Sequence, residues 1–532
     1  MALRDSYGLF IGGDFVPGSS VFKTISPATE EVLAEVTHAA SDDVDRAVAA
    51  ARHAYEHVWS AMPGRVRGRY LLRIARLLRE RAAELAVIET IDSGKPVRVT
   101  RDGDLPLAAA HFFYHAGWAD KLGYAGFGPA PRPLGVVGQV IGWNSPLVML
   151  AWQAAPALAC GNTVVLKPAE TTPLTALAFA ELCAEAGLPP GVVNVVTGDG
   201  STGQLLAGHP GLDKVAFSGS AEVGRELARA CALSGKGLTL ELGGAAAHIV
   251  CADADVEAAA EGIVGGVFVG QGHVCGAGGR LFVAAPVAAD LILAIKRRML
   301  ALRLGDPLEM GTDVGPVASL AQLERVRDLA ASIEAAGGTR WSAPCSVPDR
   351  GFWFEPAMFT EAISAEAILA ETISAEARAN DALLTEARAT AAWATEAPSP
   401  DARATEAALP DARATAALAA GAPFAEMPGK SRIAGGELAG PVLTVSSFST
   451  PDEAVELANA TRYGMSAAVW TERGSLSTWL ASRLRAGVVW ANTVNRFDPA
   501  APIGGYQEAG FGRDGGRHGL EAYLDIPGTV DV

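Results

Sequence analysis

The sequence predicts an α/β protein: a doubly wound, Rossmann-like parallel sheet followed by a second α/β domain. Two observations carry this. From Leu134 to Leu242, short Val- and Ile-rich runs alternate with helical stretches, the pattern of parallel βαβ units buried on both faces. A second set of apolar runs begins after Leu242, and a chain of 532 residues is too long for one core, since cores stop growing at roughly 250–300 residues.

The elements follow in order. Asp42 to Ala61 and Val66 to Ile91 read as two amphipathic helices, with "SDD" as a start signal and Gly94 as a stop. The runs "LGVVGQVI", "NTVVLK", "GVVNVV", "DKVAF" and "LTLEL" read as strands. The helices between them run through Ala159, from Pro173 to Ala186, near Gln204, and from Glu222 to Leu233. Beyond Leu242, "AAHIV" and "GRLFVA" read as strands, followed by a helix through Met299.

Composition narrows the function. A net charge of −16 opposes binding to nucleic acid or an anionic membrane. The start lacks the basic and apolar regions of a secretory signal, and the most apolar run is short and carries Pro156. Six cysteines without CxxC or His/Cys metal spacing suggest no disulfide framework and no metal site. A reducing, cytoplasmic setting is the expectation.

Residues 361–428 differ in kind. Over 361–420 an acid recurs at nearly every fifth position, giving ten acids against four arginines. A period of five winds such residues around a helix instead of forming one face. The segment reads as a solvated low-complexity insertion.

Several motifs could carry chemistry. "GDGSTG" at 198–203 fits GxGxxG, but the acid expected about 20 residues on is missing, so a plain strand–helix connection is the better reading. "FSGSAEVG" places Gly219 and Ser220 between a strand and a helix start, where free N–H groups suit a phosphate. "LKPAE" puts Lys167 and Glu170 past a strand end, where ligands of such sheets bind. Glu241 ends the strand "LTLEL", and burial there would raise its pKa toward that of a working base. Asn144 in "IGWNSP" offers an amide to an oxyanion. Each has a structural alternative: a helix cap, a surface pair, a satisfied carboxylate, a turn asparagine.

Their order decides. "WNSP", "LKPAE", "FSGSAEVG", "ELGG" and "GQGHVCGAGGR" resemble the WNFP, KPSE, FTGSxxVG, ELGG and GQxC segments of the NAD(P)-dependent aldehyde dehydrogenase superfamily. "FWFEPAMF", "ELAGPVL" and "NRFDPAAPIGGYQEAGFGRDG" follow in family order, and the resemblance covers about residues 8–360 and 430–532. It implies an aldehyde dehydrogenase-like fold: residues 1–120 and 134–243 as cofactor domain, 244–510 as catalytic domain with the insertion at 361–428, and 121–133 with 511–532 as an oligomerisation element. It implies Cys275 as the nucleophile, Glu241 as the base and Asn144 as the oxyanion donor. NAD, rather than NADP, would contact Trp143, Lys167, Glu170, Gly219, Ser220, Gly224 and Leu242, with Glu437 holding the nicotinamide ribose. Met149, Trp152 and Phe497 would line the aldehyde funnel, and the assembly would be a homodimer or homotetramer.

The chain departs from the family pattern at Ser145 (usually Phe), Gln153 (usually Lys), Ala245, Ala439 and Ile503. None removes the nucleophile, base or amide. The alternatives are a weakened relative serving as a structural subunit, and a cysteine hydrolase working without a cofactor.

Overall fold

The computed structural model describes residues 3–128, 131–232, 234–274, 276, 278–361 and 440–526. Four sequence readings therefore lie outside the described residues: Cys275, Glu437, Ala439, and the insertion beyond Glu361. So does the tail at 527–532.

The expected βαβ alternation is present. Strands β1 (Leu9–Ile11), β2 (Asp14–Val16), β3 (Val136–Val140), β4 (Thr163–Lys167), β5 (Val193–Val195), β6 (Lys214–Gly219) and β7 (Gly237–Leu242) belong to one sheet. Its order is Gly510–Phe511, β7, β6, β3, β4, β5, β1, β2. The inner strands β7, β6, β3, β4 and β5 are parallel, and antiparallel strands close both edges. The register pairs Ser218 with Glu241 and Val140 with Lys167, so the candidate residues collect at one carboxyl edge.

Gly510–Phe511 returns from near the end of the chain to pair with β7. That return needs glycine: Gly510 has φ 111°, and a Cβ there would meet the Leu240 carbonyl oxygen at 1.9 Å.

The helices are α1 (Ser41–Ala54), α2 (Gly64–Glu80), α3 (Ala82–Ser93), α4 (Leu105–Trp118), α5 (Pro146–Cys160), α6 (Leu174–Glu185), α7 (Gly200–Gly208) and α8 (Ala221–Ala232). Helix α5 is apolar all round and buried along almost its whole length, as a helix inside a core must be.

Two helix readings need correction. The first helix starts after Ala40, so "SDD" forms its first turn, and the Asp43 carboxylate accepts the Ala40 N–H at 3.0 Å. The helix predicted for Val66–Ile91 breaks at Arg81, whose φ of −102° and ψ of 17° leave the helical region. "RERAAEL" has no Gly or Pro to announce a break. It falls where the chain leaves the packing of α2 on α4 and α5 for that of α3 on α6. The Gly94 stop is as predicted, left-handed at φ 77°.

The second sheet holds β8 (Ala247–Val250), β9 (Arg280–Ala284), β10 (Thr339–Ser342), β11 (Ala357–Thr360), β12 (Val442–Phe448), β13 (Ser466–Trp470) and β14 (Val488–Ala491). Its order is β10, β11, β12, β9, β8, β13, β14, parallel except at β10. Helices α9 (Val256–Val267), α10 (Ala288–Leu300) and α11 (Leu320–Ala335) belong to this half. A two-stranded pair joins Arg132–Pro133 to Leu524–Asp525. Among the described residues no helix is long and apolar enough to cross a membrane.

Candidate active site

The carboxyl edge of the first sheet opens into a cleft of about 400 Å³ whose opposite wall comes from the second half of the chain. Trp143, Asn144, Met149, Trp152, Gly219, Ser220, Glu241 and Leu242 all line it. Cleft-lining His273 and Val274 immediately precede Cys275 in sequence. On the other side of Cys275, the Gly276 carbonyl accepts the Ser466 hydroxyl at 3.2 Å.

Asn144 sits in the turn between β3 and α5. One N–H of its amide donates to the His273 carbonyl at 2.9 Å, which orients the group and leaves the second N–H available. His273 packs its ring edge-on to Trp143, 4.7 Å between centroids. Neither of its ring nitrogens has a hydrogen-bond partner among the described residues. Burial, helped by the nearby Lys95 charge, pushes its pKa down to about 3, so the ring is neutral.

Glu241 ends β7, as the sequence implied. Its Oε1 is buried without a hydrogen-bond partner among the described residues. Burial, reinforced by the Asp514 charge and opposed by Arg513, raises its pKa well above the usual carboxylate value. Asp514 lines the same cleft and is itself pushed up to about 7 by burial, against the pull of Lys214. Lys214 is buried behind it, donates to the Thr239 hydroxyl at 2.6 Å, and has its pKa lowered to about 8 by burial. Two buried carboxyls facing one cleft resist ionising together, so a proton near Glu241 is readily held and readily given up.

The cofactor side is built from small residues. Gly219 and Ser220 link β6 to the start of α8, and the Ser220 hydroxyl accepts the Val223 N–H at 3.4 Å. Helix α8 lies close against β7 because Gly224 has no side chain; a Cβ there would meet Leu242 at 2.7 Å. This turn, with Gly142, Gly243 and Gly244 beside it, leaves backbone and a helix N-terminus open to a dinucleotide, so the residues present fit one.

Lys167, Glu170, Gly224 and Phe497 are not on the cleft wall itself. Lys167 is buried at the end of β4, donates to the Pro168 carbonyl at 2.9 Å and lies 3.6 Å from the half-exposed Glu170 carboxylate. Phe497 backs the wall, edge-on to Trp152 at 5.6 Å and to Trp490 at 5.7 Å. The "GDGSTG" segment is a helix cap, as its missing acid suggested: Asp199 accepts from the Ser201 N–H at 2.8 Å, and none of the six residues lines the cleft.

Sequence reasoning missed several wall residues. Gln322, Arg325 and Val326 project from α11, an amphipathic helix whose cleft-facing side no local pattern reveals. Arg462 and Tyr463 come from the start of a short strand, Tyr463–Gly464, that pairs with Tyr506–Gln507 and carries no motif. Asp514 lay inside the quoted "GRDG" run, and an acid among glycines was the signal available. Among the described residues no cluster of three or more His, Cys, Asp or Glu could hold a metal.

Fold and cleft together define an α/β enzyme of the dinucleotide-dependent kind. More particularly, the aldehyde dehydrogenase family model matches residues 15–375 and 410–527, and the chain belongs to that family. It is 36% identical to aldehyde dehydrogenase family 2 member B4 of Arabidopsis thaliana, over 98% of this chain and 87% of the relative. It is also 36% identical to the mitochondrial benzaldehyde dehydrogenase of Antirrhinum majus, over 98% of this chain and 88% of the relative. The NAD+ complex of the Bacillus cereus aldehyde dehydrogenase superposes with a TM-score of 0.81 at 34% identity, covering 99% and 96% of the two chains. The activity is aldehyde oxidation with a nicotinamide cofactor.

Proposed function

We propose that the chain oxidises an uncharged aldehyde to its acid with NAD, through a thioester on Cys275. One observation carries the reading: Asn144, Glu241 and the residue before Cys275 line one cleft. The Cys275 thiolate adds to the aldehyde carbon, and the oxyanion formed takes the free N–H of Asn144. The nicotinamide, when bound, accepts the hydride lost by that carbon. Glu241 then takes a proton from the water that cleaves the thioester, and its raised pKa makes this step faster as pH rises.

Gly219, Ser220, Leu242 and Trp143 would hold the dinucleotide, with Lys167 and Glu170 at its ribose. The half-exposed Glu170 favours an unphosphorylated ribose, hence NAD over NADP. Glu437 would hold the nicotinamide ribose. The aldehyde would enter past Met149 and Trp152, with Phe497 packed behind Trp152. A homodimer or homotetramer is proposed, supported by the exposed Val21, Ile25, Val32 and Tyr124.

The test mixes the protein with NAD and a panel of aldehydes, follows NADH absorbance and repeats with Cys275→Ala. NADH that disappears in the variant supports the reading. NADH formation that persists without the thiol, or none from any aldehyde, overturns it.

A further inference from the structure

Ser145 is the N-cap of α5, and serine there ordinarily accepts a hydrogen bond from the second or third N–H of its own helix. Its side chain makes no such bond. The Leu147 N–H goes instead to the buried Glu89 carboxyl, whose Oε2 accepts it at 3.3 Å. The Ser145 hydroxyl is left to accept from Lys95 Nζ at 2.8 Å. Lys95 is only 2% exposed, and its ammonium is otherwise held by the Asp104 carboxylate.

A buried ammonium costs several kcal/mol of lost solvation even when paired, so its place beside this turn calls for an explanation. Asn144 is joined to Ser145 by one peptide unit and is tied on its other side to the His273 carbonyl at 2.9 Å. The turn is thus fixed at three points, by His273, Lys95 and Glu89, and each contact comes from a segment distant in sequence. Helix capping would hold Ser145 to its own helix only. The bond to Lys95 holds it to α3 and the residues that follow.

We propose that Lys95 and Ser145 are a positioning pair that aims the Asn144 amide at the oxyanion. The inference rests on the reading of Asn144 given above. Neither residue lines the cleft, so each acts through Asn144 and not on the substrate.

Four proteins test this: Ser145→Ala, Ser145→Thr, Asn144→Ala and the Ser145→Ala/Asn144→Ala double variant, each assayed for kcat, KM and melting temperature. Ser145→Ala should lower kcat about ten- to a hundredfold, the cost of a small misplacement, with both KM values within about twofold. Ser145→Thr, which keeps the hydroxyl, should recover most of the loss. The double variant should be no slower than Asn144→Ala alone, because the pair acts through that amide. An unchanged kcat in Ser145→Ala, or a loss that adds in full to that of Asn144→Ala, overturns the pair. So does a fall in melting temperature large enough to account for the loss of activity. If Asn144→Ala itself keeps full turnover, the reading of the oxyanion site has failed instead.

Discussion

The two sheets bury charge in different ways. Around the first, ionisable groups are displaced from their ordinary values: Glu89 up to about 8, Asp92 and Asp514 up to about 7, Lys214 down to about 8, and Glu241 well up. The second sheet also buries a charge, Arg280, whose pKa burial lowers to about 10, but it surrounds that charge with acceptors. Its guanidinium donates to the Ala245 carbonyl at 2.8 and 2.6 Å, to Ala458 at 2.9 Å and to Leu457 at 3.3 Å. Of the displaced groups around the first sheet, Glu241 and Asp514 line the cleft, while Glu89 and Asp92 lie on α3 behind it. The second half of the chain carries the loop before Cys275 and helix α11 to that cleft, with Arg280 fully bonded in its interior. Burial alone does not mark a working residue; the better pointer is an unpartnered buried group that also lines the cleft, as Glu241 does and His111 does not.

The contrast can be broken at measurable points. Glu241→Gln should cut steady-state turnover about 10²–10⁴-fold while the first burst of NADH survives, seen by stopped flow. Asn144→Ala should lower kcat about 10²–10³-fold, with the burst slowed as well. Arg280→Leu should leave the buried Ala245 and Ala458 carbonyls unpaired, the Leu457 carbonyl keeping the Ala460 N–H, and cost about 2–6 kcal/mol of stability. At temperatures where it stays folded, its KM values should hold, and an active-site effect without destabilisation would reverse the comparison.

The Asp92 carboxyl is raised by burial, so the folded state holds its proton more tightly than the unfolded one. Stability should therefore be highest below about pH 4 as far as this group goes. It should fall by about 2–4 kcal/mol as pH climbs to about 7. Asp92→Asn should flatten that part of a melting-temperature profile, and an unchanged profile would show the group to be ordinary. The smallest effect is expected at His111, fully buried against Trp152 with neither ring nitrogen partnered among the described residues. His111→Leu should gain about 1 kcal/mol, read as a higher melting temperature.

Much of this was legible because it is local. Strands such as "NTVVLK" announce themselves by β-branched runs, and Gly94 by its freedom at positive φ. Glu241, Asn144 and the Gly219–Ser220 turn each had a structural alternative on its own, and only the order of their motifs, matched to the family, singled them out. The rest depends on contacts distant in sequence. Nothing near Arg81 states that α2 must stop there. No pattern in α11 says which side of it faces the cleft. Ser145 looked like a plain departure from a motif until Lys95, 50 residues away, was seen to use its hydroxyl.

The strand Gly510–Phe511 has a further consequence during synthesis. The strand bearing Glu241 stays an open edge while 268 more residues are made, because its neighbour is encoded that far downstream of Leu242. An unpaired apolar edge is where chains join one another wrongly. A polypeptide released early, short of residue 510, would hold the Gly219–Ser220 turn yet expose the strand that carries Glu241. Pairing of Gly510–Phe511 thus marks the point at which the first sheet is complete.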